Sequence, residues 1–433
     1  MVNCNGLSMR RASLVLWRIA ALWLCVLCGA AAAGSEPGTV IVLSWDGMRF
    51  DYPDRGDFPG LQRMARDGVR ARRLTAVYPS STFPGHVSLA TGTYPDRHGI
   101  VDNHFYDRAE PRNGGSYRMS SDASWIEAEP LWIAAERQGV ITATYFWVGS
   151  ESDWRGQRQR HRIAPFDGQR PESLKVNQIL SWLALPAQER PRLIMSYWAG
   201  TDSVAHRYGP NSDKVVEQIS AQDRQLQRLL AGIDGFGDGR ASSITLIIVS
   251  DHGMAETSEY IDLRSVLADA GIAARVSGAA VAQIFVDGND AEIARAGSVL
   301  RATDGVEVFR GSQLPEWMRL GHPTRTGDWL VTTEPPRTFS RPAGFEGVLM
   351  AVLSAFGWQF GSHGYHPDRA DMGGVFLAMG RGVPSGLTIH AVHQVDVAAT
   401  VARLLGISPP RHSEGRPVPG IGELLITQSP PRH

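Results

Sequence analysis

Asp46, Asp202, His206, Asp251, His252 and His363 are the side chains whose types and positions invite chemistry. Asp46 follows the run Thr39–Ser44, Asp202 and His206 follow Leu193–Tyr197, and Asp251-His252 follow Ile244–Val249. Each run is short, apolar and β-branched, the pattern of a strand buried on both faces of a parallel sheet. Ligands of open α/β sheets bind beyond the carboxyl ends of such strands. Three carboxylates delivered to one edge repel each other and resist ionisation unless something neutralises them. A divalent cation does so, and Asp with His is a zinc-type donor set where cysteine is absent. Singly, each residue has an ordinary reading. Asp46 is a turn former or a helix cap, Asp202 and His206 at i, i+4 are a local hydrogen-bonded pair, and His363 in Ser362–Tyr365 says nothing alone. Asp251-His252-Gly253 after a strand is the sharper signal, and the joint pattern carries the reading.

Thr82 lies in the segment Tyr78–His86. Thr is a favoured N-cap, Pro84 suits a first turn, and Val87, Leu89 and Ala90 continue inward, so a helix is expected to start here with Thr82 as its cap. A hydroxyl at a helix start faces unpaired N–H groups that suit an anion such as phosphate. As a nucleophile, Thr needs its hydroxyl acidified, and a bound metal ion supplies that without a neighbouring base. The local sequence leaves cap and nucleophile evenly balanced.

Strands are expected at Thr39–Ser44, Val140–Phe146, Leu193–Tyr197, Ile244–Val249 and Val375–Met379. Helical spacing links Val176, Ile179, Leu180 and Leu183, then Val216, Ile219, Leu226 and Leu230, then Val397, Val401 and Leu404. Alternating strands and helices predict an α/β fold with a doubly wound, mostly parallel sheet. Residues 260–358 are richer in Pro and Gly, with shorter strand-like pieces at Ala282–Val286, Val306–Phe309 and Trp329–Thr333. They read as a smaller inserted α+β subdomain between core segments 34–259 and 359–425, with a loose tail at 426–433. Residues 1–33 combine arginines, a short apolar run and small residues, the pattern of a cleaved signal peptide. Export to the periplasm or the medium follows, with no stable membrane span after cleavage. Cys4, Cys25 and Cys28 all lie in that segment, so thiolate chemistry is excluded from the mature chain. The net charge of −1 gives no sign of a nucleic-acid-binding surface.

The run YPSSTFPGHVSLATGTYPDRHGIVDN (Tyr78–Asn103) resembles the nucleophile segment of nucleotide pyrophosphatase/phosphodiesterases, a family of the alkaline phosphatase superfamily. Glu129–Glu151, Tyr197–Pro210, Val249–Met254, His363–Tyr365 and Val392–Ile407 resemble further blocks of that pattern in the same order. The resemblance implies two zinc ions per chain, one held by Asp202, His206 and His363, the other by Asp46, Asp251 and His252 with Thr82. It implies that Thr82 attacks phosphorus in line to give a phosphothreonine, which water then hydrolyses. Asn103, with the Phe83 N–H, would hold a phosphate oxygen, and Phe83 and Tyr197 would sandwich the leaving-side base or other group. The expected partner is a small phosphate ester such as a nucleotide.

Gly200-Thr201 replace a Glu-Pro pair before the metal-ligand Asp, and His366-Pro367 follow His363–Tyr365 where an Asp-centred run is usual. The first departure leaves phospholipid-headgroup cleavage open. A phosphomonoesterase is the other alternative, but it needs cationic contacts for the extra phosphate charge, and no Arg or Lys beside Thr82, Asn103 or the ligand motifs obviously serves. A sulfatase is disfavoured because Thr82-Phe-Pro-Gly-His lacks the C/S-x-P-x-R context. A binding protein with a dead metal site is disfavoured by the intact ligand set. His86 and His98 read as structural, His104 as bordering the site or on the surface, and Trp147 and Trp154 as core rather than cleft.

Overall fold

A computed structural model describes residues 38–110, 112–237, 239–339 and 358–423. The signal-peptide segment, its three cysteines and the 426–433 tail lie outside the described residues. The main sheet has eight strands: β1 (Thr39–Trp45), β2 (Gly68–Ala71), β3 (Thr142–Tyr145), β4 (His161–Ile163), β5 (Leu193–Trp198), β6 (Ile244–Val249), β7 (Phe376–Gly380) and β8 (Leu387–Ile389). Their order is β8-β2-β7-β6-β1-β5-β3-β4.

Every residue of β1 is buried, because helices cover both faces of the sheet. Side chains alternate across a strand. Val40 and Val42 therefore pack with Val87 and Leu89 of α2 (Thr82–Thr91) and Val397 and Val401 of α6 (Gln394–Leu405). Ile41, Leu43 and Trp45 face the other way. They join Leu61 and Met64 of α1 (Pro59–Arg66), Ile179 and Leu183 of α3 (Glu172–Ala184), and Ile219 and Leu226 of α5 (Asp213–Asp234). Another helix, α4 (Gly200–Tyr208), follows β5 directly.

Register brings the three ligand-bearing strands to one edge. β1 runs parallel to both β5 and β6, with Ser44 opposite Tyr197 and Val249. The Asp46 N–H then donates to the Trp198 carbonyl at 3.0 Å, so Asp46, α4 and Ser250 emerge at one level.

The structure corrects three local expectations. The expected parallel strand at Val375–Met379 is β7, and it runs antiparallel to both β6 and β2. A fully apolar run signals two covered faces but not direction, and the chain enters β7 from the carboxyl edge of the sheet. In α5 the buried line runs through Val215 and Ile219, leaving Val216 half-buried. Ser81, with extended φ −127° and ψ 154°, occupies the cap position of α2, so Thr82 is the first helical residue.

Residues 274–333 build a second, antiparallel sheet in the order Ala274–Gly278, Val281–Val286, Trp329–Thr333, Val306–Arg310. Helices Leu263–Asp269 and Asp290–Arg301 pack on it through Leu267, Ala296 and Leu300. From Gly38 onward the described residues form one compact unit. Among the described residues no helix is long and apolar enough to cross a membrane.

Ile248 is fully buried in β6, immediately before the ligand-bearing turn. We expect Ile248→Ala to cost about 2–5 kcal/mol through lost burial and an unfilled cavity, read as a lower denaturation midpoint in urea with an unchanged slope. An unchanged midpoint would contradict this account of the core.

Candidate active site

Asp46 leaves β1 into a turn at Gly47, whose φ of +65° suits glycine. A Cβ there would lie 2.9 Å from the Asp202 Cα, so only a glycine lets this turn approach α4. Asp202 and His206 sit one helical turn apart on α4, on the same face. Asp251 and His252 follow β6. His363 arrives by another route: Phe360–Ser362 pairs antiparallel with Ala255–Thr257, just past the Asp251-His252 turn. The structure thus gathers all six predicted ligand residues.

The imidazoles are held in one tautomer by main-chain carbonyls. His206 Nδ1 donates to the Gly361 carbonyl at 2.8 Å, His252 Nδ1 to that of Gly253 at 2.8 Å, and His363 Nδ1 to that of Ser80 at 3.0 Å. A carbonyl only accepts, so each neutral ring turns an unprotonated Nε2 inward, the arrangement typical of a metal-ligating histidine. His206 Nε2 lies 3.3 Å from Asp202 Oδ1, and His252 Nε2 lies 3.1 Å from Asp251 Oδ2 and 3.5 Å from Asp46 Oδ1. The His252 and His363 rings stack with centroids 3.7 Å apart.

Two compact donor groups result, Asp46–Asp251–His252 and Asp202–His252–His363, each with ligand atoms within 4.8 Å of one another. His252 belongs to both. His206 stands slightly apart and joins through Asp202. Asp46 Oδ1, Asp202 Oδ1 and Asp251 Oδ2 are buried without a hydrogen-bond partner among the described residues. Leaving such atoms unmet is costly unless a cation meets them.

Electrostatics point the same way. Burial, reinforced by Asp251 and Asp202, pushes the Asp46 carboxyl well above its usual range. Burial also opposes the charge on Asp202, but His206 and His363 hold it down to about 2. Burial works against His206 too, yet Asp202 raises it to about 9. Burial, with His252 and His206 beside it, drives His363 well below the usual histidine range. Without metal, protons and imidazolium ions must balance the carboxylates, which is the work a divalent cation would do.

Thr82 Oγ1 lies 3.2 Å from His252 Nε2, at the edge of the Asp46–Asp251–His252 group. The helix start around it is not the open cradle of amides expected from its sequence. Phe83 N–H donates to Asn103 Oδ1 at 2.8 Å, Pro84 has no N–H, and Gly85 N–H donates to the Ser81 carbonyl. Asn103 therefore sits beside Phe83, whose amide is spent on it. Tyr197 also differs from its expected place. It is only 8% exposed, and its hydroxyl donates to Asp46 Oδ2 at 2.5 Å. Its ring packs edge-on against His86, 5.0 Å between centroids. Phe83 stays half-buried, its ring edge-on to Tyr117.

Of the supporting layer, sequence reasoning named His86 as structural and missed Ser250 and Gln394. Ser250 Oγ accepts the Met48 N–H at 3.0 Å and donates to the His252 carbonyl at 2.7 Å. Gln394, at the start of α6, donates to the Asp251 carbonyl and accepts the Val77 N–H at 2.9 Å. His86 donates from Nδ1 to the Thr82 carbonyl at 2.7 Å and accepts from Ser44 Oγ at 2.7 Å, bracing the Thr82 turn against β1. The available signal was a polar residue inside or beside an apolar run, as Ser44 and Gln394 are. Trp147 and Trp154 are core residues.

The chain matches the family model for type I phosphodiesterase/nucleotide pyrophosphatase over residues 40–366. It is 28% identical over 397 residues to human ectonucleotide pyrophosphatase/phosphodiesterase family member 1, covering 87% of this chain and 41% of the human protein. Venom phosphodiesterase CdcPDE of Crotalus durissus collilineatus is 28% identical over 411 residues, covering 89% and 47%. The chain thus spans less than half the length of these relatives. Among solved structures, human ectonucleotide pyrophosphatase/phosphodiesterase 5 aligns with a TM-score of 0.76 and 25% identity, covering 87% of this chain and 97% of that one. An inactive threonine-to-alanine variant of the murine protein in complex with AMP aligns with a TM-score of 0.75 and 24% identity, covering 86% and 96%. With the family model matched across most of its length, the chain belongs to the type I phosphodiesterase/nucleotide pyrophosphatase family.

Proposed function

We propose that this protein is a zinc-dependent hydrolase of phosphodiester or pyrophosphate bonds, with Thr82 as covalent nucleophile. The observation that carries the reading is the convergence of three unpartnered, buried carboxylate oxygens and three inward Nε2 atoms beside one hydroxyl. Asp202, His206 and His363 would hold one ion, and Asp46, Asp251 and His252, with Thr82, the other. An oxygen and imidazole donor set without thiolate suits zinc. Two such ions would supply Lewis-acid polarisation and balance developing negative charge. Three carboxylates with three neutral imidazoles carry −3, so two dications leave a net +1, suited to an anionic substrate.

The chain's own residues do the rest. Thr82 Oγ1 forms the new bond to phosphorus as the bond to the leaving oxygen breaks on the opposite side. The leaving oxygen takes up a proton equivalent to the one lost by Thr82. Water then displaces phosphorus from Thr82 and restores the hydroxyl. The Asn103 amide, its Oδ1 fixed by Phe83 N–H, directs its NH2 donors outward, where a non-bridging oxygen would accept; one such donor is typically worth about 3–4 kcal/mol in the transition state. Tyr197 holds Asp46 by one oxygen and leaves Oδ1 for the ion. Nucleotides are the substrate class we favour, supported by the AMP bound to the murine relative. We favour diesters over monoesters because Lys175, a buried cation behind β5, is spent on the Tyr197 carbonyl at 2.9 Å. We further propose residues 260–358 as the inserted subdomain and an exported, periplasmic or secreted protein.

Three measurements test this reading. The nitrophenyl ester of thymidine monophosphate should be turned over orders of magnitude faster than nitrophenyl phosphate; the reverse ranking would refute the diester preference. Elemental analysis should find two zinc ions per chain, and chelation should abolish turnover until zinc is restored. Full activity in metal-free protein would remove the basis of the reading. Thr82→Ala should lower kcat/KM by about three orders of magnitude or more while keeping its zinc. Wild-type turnover in that variant would eliminate Thr82 as nucleophile.

A further inference from the structure

A cleft of about 210 Å³ opens next to Asn103. One wall is the antiparallel hairpin His104–Tyr106 with Ser116–Arg118, in which His104 lies opposite Arg118. The other wall is the edge strand Ala274–Gly278 of the second sheet with Arg264 beside it. Two lining residues adjoin the reacting centre. His104 follows Asn103 directly, and Tyr117, which lines the cleft, meets the Phe83 ring edge-on at 6.1 Å.

Its charge is one-sided. Arg118 and Arg264 both line it and both are exposed. The structure records no carboxylate within ion-pair distance of either among the described residues, in contrast to arginines such as Arg63, paired with Asp234, and Arg325, paired with Asp107. Each has only a light local tether: Arg118 Nε donates to Ser116 Oγ at 3.2 Å, and Arg264 donates to the Val276 carbonyl. Asp262, two residues before Arg264, is occupied by the backbone amides of Arg264 and Ser265. Burial and the nearby Arg118 hold His104 below the usual histidine range. Two guanidinium groups facing one concave space form a fork for a phosphate or carboxylate.

We propose that this cleft is an anion subsite, in which Arg118 and Arg264 receive a phosphate or carboxylate that the substrate carries beyond its reacting phosphate. The proposal rests on Thr82 and Asn103 as the reacting centre and narrows the substrate class to esters with a second anionic group.

Calorimetric titration of the full, zinc-loaded chain with AMP and with α,β-methylene-ADP tests it, since the second ligand adds one phosphate. The wild type should bind α,β-methylene-ADP at least about tenfold more tightly than AMP, and the ratio should fall to about one in Arg118→Ala/Arg264→Ala. Raising ionic strength should shrink the wild-type ratio, because partly exposed charges are screened. A wild-type ratio near one, or the same ratio in the double variant, overturns the subsite. Wild-type turnover of bis(p-nitrophenyl) phosphate separates the two readings: turnover with a ratio near one sinks the subsite alone, whereas no turnover and no nucleotide binding sinks the proposed function and the subsite with it.

Discussion

Three carboxylates share one buried edge, and their mutual repulsion is the constraint on which the rest of this structure depends. Asp46, Asp202 and Asp251 arrive there because β1 pairs in parallel with both β5 and β6, so three successive strand ends finish level. A sheet of that kind needs helices on both faces, which is why its strands are apolar throughout. The same burial that stabilises the sheet raises the cost of the charges at its end. Imidazoles at His206, His252 and His363 moderate that cost only in part, since Asp46 Oδ1, Asp202 Oδ1 and Asp251 Oδ2 remain unmet among the described residues.

The carboxylates and histidines were legible in the sequence because each follows a strand whose apolar run is unmistakable. Strand direction was not legible. β7 reads the same forwards or backwards, since burial on both faces erases the alternation that might distinguish them. The position of Thr82 was legible, but its cap role was not, because Ser81 and Thr82 are equally good caps by residue type and only backbone dihedrals separate them. Tyr197 was marked for its ring, whereas its hydroxyl makes the decisive contact with Asp46, 151 residues away in sequence. Interactions of that span follow from strand register and cannot be read locally. Ser250 and Gln394 were passed over for the same reason.

The two glycines at the site show how tightly the backbone is committed. A Cβ at Gly47 would strike Asp202, and one at Gly85 would lie 2.9 Å from the Asp251 carbonyl oxygen and 3.0 Å from its Cβ. The turn after β1 and the first turn of α2 are thus pressed against the two carboxylates they serve. Main chain, rather than long side chains, sets the spacing between nucleophile and ligands.

The three Nδ1–carbonyl bonds carry that principle further. Gly361, Gly253 and Ser80 orient their imidazoles through atoms that every amino acid possesses. The side chain at Ser80 takes no part in holding its imidazole, whereas a Cβ at Gly253 or Gly361 would lie 2.1 Å from the Asp371 carbonyl oxygen or 2.3 Å from that of Ala205, which commits both positions to glycine. The reactive geometry is therefore set by the course of the main chain, and cleft-wall residues that make none of these contacts can change for new substrates while the chemistry at their base stays fixed. Evolvability of specificity, in this architecture, follows from anchoring the ligands to the peptide chain itself.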